Sequence, residues 1–321
     1  PQQGERALLE AAWTGDLQQV VALLDKGIDV NCRGVYGYTP LIIAAKYGRT
    51  EIAEKLCDRG ADVNAVSGAD WWAYGEDGYS SLHWAAFNCA SDMARILVER
   101  GADVDQFGGT GETPLMIASR RNCETIVGFL IDKGADVNKV NDEDQETTAL
   151  VEAVEHGHLD IVDLLLKKGA KDTVRKSLQR SNLLSIAVAN SHLAVVRYLI
   201  EKGLPVNGRD ENGSTAIHFA LRPNLESRYI LEYLVEQGGD PVAESNLGTS
   251  PLMQAALHGL AWEVEFLIGK GAAVNDTDSQ EDTALHYACR GISSKPQKGY
   301  GKAKGPEETI RLLIDKGAKV N

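Results

Sequence analysis

Seven histidines, five cysteines and many carboxylates are the residues of this chain that could do chemistry. Clustered histidine and cysteine would hold zinc, and a cysteine beside a base would act as a nucleophile. His83, His156, His158, His192, His218, His258 and His286 instead recur in register with a repeat described below. Cys32, Cys57, Cys89, Cys123 and Cys289 are odd in number, far apart and unpatterned, and no signature pairs any of them with a base. Asp29, Asp62, Asp103 and Asp136 each precede a valine once per repeat, which marks turns rather than an acid/base pair. No phosphate-cradling or dinucleotide loop is present. The expectation is a chain that is not an enzyme and needs no metal or cofactor.

The elements that carry these residues are copies of one unit. Tyr38-Thr39-Pro40-Leu41 with Ala44-Ala45 and Gly48 returns as Glu112-Thr113-Pro114-Leu115 with Ala118-Ser119 and Asn122. Arg6, Ser80, Thr148, Asn182, Thr215, Ser250 and Thr283 hold the same slot, at spacings of 33 to 41 residues, so there are nine units. A threonine before proline and an apolar stretch is a helix cap followed by a residue pre-set for the first turn. Paired alanines let helices approach closely, and Gly48 or Asn122 breaks the chain before a second helix. That helix carries an apolar stripe, as in Ile161, Val162, Leu164 and Leu165, and stops at a left-handed glycine such as Gly169.

The Thr-Pro-Leu start, the period near 33 residues and tails such as Gly60-Ala61-Asp62-Val63-Asn64 resemble the ankyrin repeat. The resemblance covers essentially the whole chain. It implies an all-α solenoid of stacked helix-turn-helix units joined by β-hairpin or turn connections, forming one domain over residues 1–321. The expected repeats are 5–35, 36–67, 76–108, 109–141, 145–178, 179–211, 212–245, 246–279 and 280–321. It also implies a concave binding face made of first helices and hairpin tips, with His83, His218 and His286 hydrogen-bonded in the turns. Asn64 with Leu56, and Asn138 with Leu130, resemble sites of asparaginyl hydroxylation in this family.

Two inserts interrupt the register: residues 68–75 lengthen the hairpin between repeats 2 and 3, and about 292–306 separate the two helices of repeat 9. The second is glycine-rich and basic. A smaller lengthening at Pro223-Asn224 shifts the turn of repeat 7. Arg6 and Glu10 give repeat 1 the polar face of a capping unit. The chain starts without methionine and ends within a turn signature at Asn321, from which an excised fragment or processed form is expected.

Aromatic residues are concentrated at one end. Trp13, Tyr36, Tyr38, Tyr47, Trp71, Trp72, Tyr74, Tyr79, Trp84 and Phe87 all lie in the first 87 residues. Tyr36, Tyr38 and Tyr79 fall at hairpin tips. Trp13, Tyr47 and Phe87 fall in the variable positions after the alanines, which face the groove in the family. The same slots later hold Arg120, Arg121, Glu155, His156, Asn190, Arg222, Leu257, His258 and Arg290. Trp71 and Trp72 could equally cover the lengthened hairpin, Trp84 suits a semi-buried place between helices, and Tyr38 and Tyr79 could stack as structural residues. Exposed aromatics are the composition of an interface.

Charge divides the chain as well: residues 1–160 carry 13 basic against 27 acidic side chains, a net of -14, and the rest 20 against 19, a net of +1. The reading is a non-enzymatic scaffold or adaptor whose first four repeats bind a protein or peptide, with Lys or Arg in the bound segment. A methyl-lysine cage is a special case, and acidity that serves only solubility is the plain alternative. Nucleic-acid binding is not expected at a net charge of -13. No apolar run suits a bilayer span. The cysteine pattern suits an intracellular, cytoplasmic location, and a monomer is expected. The competing reading is a regulatory or targeting segment of a larger enzyme, channel or effector.

Overall fold

A computed structural model describes residues 2–68, 78–143, 146–171, 182–293 and 305–320. The chain divides into two compact units, Pro1–Arg175 and Lys176–Asn321. The first unit holds α1 (Gln3–Thr14), α2 (Leu17–Asp25), α3 (Pro40–Lys46), α4 (Thr50–Asp58), α5 (Ser81–Phe87), α6 (Ser91–Glu99), α7 (Pro114–Arg120), α8 (Glu124–Asp132), α9 (Ala149–Glu155) and α10 (Leu159–Lys167). The second holds α11 (Leu183–Ala189), α12 (Leu193–Glu201), α13 (Ala216–Phe219), α14 (Leu225–Glu236), α15 (Pro251–Leu257), α16 (Ala261–Gly269), α17 (Ala284–Ser293) and α18 (Pro306–Asp315). The described residues contain helices and turns, with antiparallel bridges at Val66–Ser80 and Thr277–Thr283 but no extended strand.

Each pair begins where a side chain captures an orphan amide. Thr39 accepts from the Ile42 amide at 3.3 Å, and Thr113, Thr148, Asn182 and Ser250 do the same for their own first turns. Within the first unit, successive first helices pack on one another, as do successive second helices, and first helices of neighbouring repeats also pack within the second unit, so helix pairs bury their apolar faces against their neighbours. Ala44, Ala45, Ala85, Ala86, Leu56, Leu97 and Leu130 are fully buried in this way. Second helices close on a left-handed residue. Gly134 has φ +95, and the amide after it returns to the Leu130 carbonyl at 3.0 Å.

The turns that follow are tied across repeats. Asn31, Asn64 and Asn138 in the first unit, and Asn207 and Asn275 in the second, each donate to a glycine carbonyl one repeat on and accept from a backbone amide there. The carboxylates read as turn residues behave so: Asp29, Asp62, Asp103 and Asp136 each accept the amide two residues ahead. In repeat 7 the two extra residues leave α13 with four residues, and α14 begins late, capped by Asn224. In repeat 9 the first helix, α17, extends to ten residues before the insert.

Candidate functional site

The site is built on a spacing of eight. In repeats 2, 4 and 9 the residue before the helix cap and the residue seven after the cap lie at opposite ends of a first helix, and their side chains meet. In repeat 2 these are Tyr38 and Lys46. The Lys46 ammonium donates to the Tyr38 hydroxyl at 3.2 Å and lies 5.1 Å from that ring's centre. From the next repeat Trp84 brings its ring to 4.0 Å beneath the same ammonium. Trp84 is buried, edge-on to both Tyr79 and Phe87 at 5.6 Å.

Repeat 4 fills the same slots with charge. Glu112 precedes the cap of α7, Arg120 ends that helix, and the two form an ion pair. Glu152 of the next repeat, in the slot of Trp84, lies 3.7 Å from Arg120. Glu112 is buried and accepts further bonds from the Tyr79 hydroxyl at 3.1 Å and from Thr110 at 2.9 Å. Burial works against the charge on Arg120, but the hydrogen bond and charge of Glu112 hold its pKa above the ordinary value.

The second unit repeats the spacing once more: Asp282 pairs with Arg290, and Tyr287 donates to Asp278 at 2.7 Å. That hydrogen bond is the main cause of a lowered Asp278 pKa. A hollow of about 570 Å³ lies here, lined by Leu247, Thr249, Asp278, Tyr287 and Arg290 among others.

The solvent-facing aromatics stand beside these clusters: Trp13 holds in repeat 1 the slot that Lys46 and Arg120 hold in repeats 2 and 4, and Tyr47 lies one residue after that slot. Tyr47 is 47% exposed and Trp13 53% exposed, and their rings meet edge-on at 6.3 Å. Arg49 fixes this corner by donating to the Trp13 carbonyl at 3.3 Å. Two repeats on, Arg121 donates to the Phe87 carbonyl at 3.1 Å and lays its guanidinium 4.5 Å over the half-buried Phe87 ring. At the tip of repeat 2, Val35 and Tyr36 are 70% and 57% exposed. Tyr36 there has φ +61, an uncommon conformation for an aromatic residue, which the tip holds in place by a bond from the Gly68 amide to its carbonyl at 2.8 Å.

Several sequence expectations change on this geometry. Tyr79 is not an exposed tip residue: it is 1% exposed, stacked on His83 at 5.3 Å, and burial raises its phenol pKa well above the usual value. Tyr38 and Trp84 do not wait for a partner's cation, because Lys46 already lies over both rings. Arg120 is engaged by two carboxylates, so its charge is spent inside the stack. Cys89 and Cys123, expected to be unrelated, are joined as a disulfide, while Cys32, Cys57 and Cys289 are free. Trp71, Trp72 and Tyr74, with the rest of 69–77, lie outside the described residues, as do 294–304 of the second insert. Asn64 and Asn138 have both ends of their amides in the turn ladder.

The histidines serve the turns. His83 accepts from the Ser80 amide at 3.2 Å through Nδ1, so Nε2 carries the proton it gives to the Glu112 carbonyl at 3.1 Å. Burial pushes its pKa down to about 4, and His218 is lowered for the same reason. His286 makes the corresponding bond with Thr283. Among the described residues no group of three or more His, Cys, Asp or Glu could hold a metal ion. No helix of these residues is long and apolar enough to cross a membrane.

The residues that reading the sequence missed are Lys46, Glu112 and Glu152. The signal was present as complementary pairs eight apart, Tyr38 with Lys46, Glu112 with Arg120 and Asp282 with Arg290.

A family model described as ankyrin repeats in three copies matches residues 1–67, 82–176 and 224–321, and one for ankyrin repeats in many copies matches 184–224. The Caenorhabditis elegans ankyrin repeat and KH domain-containing protein mask-1 is 30% identical over 79% of this chain. The Neurospora crassa ankyrin repeat protein nuc-2 is 27% identical over 88% of it, and the Xenopus tropicalis neurogenic locus notch homolog protein 1 is 36% identical over 35%. The chain spans only 10%, 23% and 4% of these relatives, respectively.

Proposed function

The chain belongs to the ankyrin repeat family, whose repeats act as protein-protein interaction modules, and from that premise we propose that repeats 1 to 4 bind a protein partner through the solvent-facing aromatic surface around Trp13 and Tyr47. The observation that carries this reading is the Trp13–Tyr47 pair: two large rings, each about half exposed, in contact across neighbouring repeats. Large aromatics contribute most of the energy of typical interfaces, and exposing two together on a polar surface costs solubility unless something covers them. Tyr36 and Val35 at the adjoining tip, and Phe87 under Arg121, extend the apolar surface.

The partner segment carries lysine or arginine. Residues 1–160 have a net charge of -14, which steers cations toward this unit from a distance. At close range Arg120 is neutralised by Glu112 and Glu152, while Lys46, Arg49 and Arg121 keep their charge, so the attraction is the long-range field of the unit and the basic residues of the partner lie away from these three. The role is that of a scaffold or adaptor, recognition without turnover. Because the relatives are several times longer, the same surface would equally serve as the targeting segment of a larger protein.

The test is a peptide array probed with the chain at low and high salt. Lysine- and arginine-rich peptides should dominate, with capture falling several-fold between about 50 mM and 500 mM salt as charges are screened. Capture of acidic peptides, or no salt dependence, would remove the basic-partner reading and leave only the aromatic surface.

A further inference from the structure

The joint between repeats 3 and 4 is closed differently from the other joints of the first unit. Elsewhere a polar side chain from the turn after a first helix reaches back to a carbonyl at the end of the preceding first helix: Arg49 to Trp13, Asn88 to Lys46, His158 to Arg120. At the repeat 3–4 joint Arg121 makes that bond too, but the adjoining positions hold Cys89 and Cys123, joined covalently with Cα atoms 5.2 Å apart.

Cys89 occupies a left-handed backbone position, φ +54, where repeats 2, 5 and 8 have Gly48, Gly157 and Gly259. Repeats 4 and 6 place Asn122 and Ser191 at the same position, φ +61 and +62, so the turn accepts a side chain there at some strain relative to glycine. Cys89 is exposed and Cys123 is buried, 3.3 Å from the Ala86 carbonyl. One sulfur can therefore meet a reagent from solution while the other waits behind it.

The joint also lacks a tie on its far side. Where Asn31, Asn64 and Asn138 donate to the next repeat, this repeat has Asp105, which accepts the Asp136 amide at 3.0 Å but as a carboxylate has no proton to give to a carbonyl.

We propose that Cys89 and Cys123 are a reversible redox site, exchanging with small-molecule disulfides of the glutathione type, whose oxidised form clamps the repeat 3–4 joint that carries Phe87 and Arg121. The Cys89 thiolate attacks one sulfur of the external disulfide, and one small thiolate leaves with the bonding pair. Cys123, having lost its proton, then attacks the Cys89 sulfur of the mixed disulfide and expels the second thiolate. Two protein thiols lose two protons and two electrons, and the external disulfide becomes two thiols. The other cysteines of the first unit do not compete: burial raises the thiol pKa of Cys32 and Cys57 to about 11.

The test equilibrates the whole chain in glutathione buffers from fully reduced to fully oxidised, quenches with acid, unfolds the chain in denaturant, blocks every free thiol and reads the mass. Alkylatable thiols should fall from five to three, with peptides holding Cys89 and Cys123 linked and dithiothreitol reversing the change. Oxidation should raise the melting temperature by roughly 5 °C and slow amide exchange over 114–130 at least about tenfold. Cys89→Gly, suited to the backbone, and Cys123→Ala should each abolish both responses. Five reactive thiols at every glutathione ratio would overturn the proposal. So would a linked pair that leaves melting and exchange unchanged, or a redox response that survives in both variants.

Discussion

Repeats 2 and 4 answer the same geometric problem with opposite chemistry. In both, a cation at the end of a first helix is held between the residue before its own cap and a side chain of the next repeat. Around Lys46 these are the Tyr38 and Trp84 rings, and around Arg120 they are the Glu112 and Glu152 carboxylates. The aromatic version tolerates partial exposure of a flexible lysine, because a ring face has no unsatisfied lone pair to lose. The ionic version must be complete, because Glu112 is buried and a missing partner would leave an uncompensated charge. The stack therefore consumes the Lys46 and Arg120 clusters, while Trp13, in the same slot of repeat 1, and Tyr47, one residue after Lys46, keep exposed rings that can meet a partner.

The largest expected effect sits where the two versions join, at His83, whose Nε2 donates to the Glu112 carbonyl beneath the Tyr79 ring. Its pKa of about 4 in the folded chain lies below the ordinary 6.5, so between these values the unfolded chain binds a proton that the folded one refuses. Stability is complete above about pH 6.5 and falls as the pH drops toward 4, by about 3 kcal/mol in this repeat. Amide exchange of α5 measured against pH checks this, and His83→Gln should flatten the slope. Next, Glu112→Ala leaves Arg120 and the Tyr79 hydroxyl without their partner and should cost about 2 to 3 kcal/mol in urea unfolding. Lys46→Met, which keeps the chain's bulk over Trp84, should cost only about 1 kcal/mol in the same assay. Equal losses in the two variants would erase the distinction between the versions. Smallest, Asp105→Asn restores the missing donor of the turn ladder and should stabilise the repeat 3–4 joint by roughly 0.5 to 1 kcal/mol. Burial raises the Asp105 pKa, so its ionised form is the disfavoured one in the fold, and the gain from Asn should grow as pH rises through that range.

The helical hairpins were legible because every level of the sequence agrees. Thr39 and Thr113 cap, Pro40 and Pro114 start, Ala44-Ala45 packs, and Gly60 and Gly134 stop. The site was legible only in part. Trp13, Tyr36 and Tyr47 were found from residue type and slot, and they are exposed. Tyr79 shares Tyr38's slot but is covered by His83, Trp84 and Glu112, two of which come from its own repeat and one from the next. Slot alone does not carry that information, since burial depends on what the following repeat supplies. The same reason hid the disulfide: Cys89 and Cys123 are 34 residues apart, and they meet only because one repeat's turn lies against the next.

The central claim, that the exposed Trp13–Tyr47 pair rather than the Lys46 and Arg120 clusters meets the partner, is tested most directly by binding. The whole chain and its Trp13→Ala/Tyr47→Ala variant, matched for melting behaviour, are titrated with the strongest basic peptide found on the array. Loss of the two rings should weaken binding at least about tenfold, as expected for a pair of aromatic hot spots, while Lys46→Met changes it less than twofold. Unchanged affinity in the double variant, with loss in Lys46→Met, would place recognition on the Lys46 cluster and contradict the account.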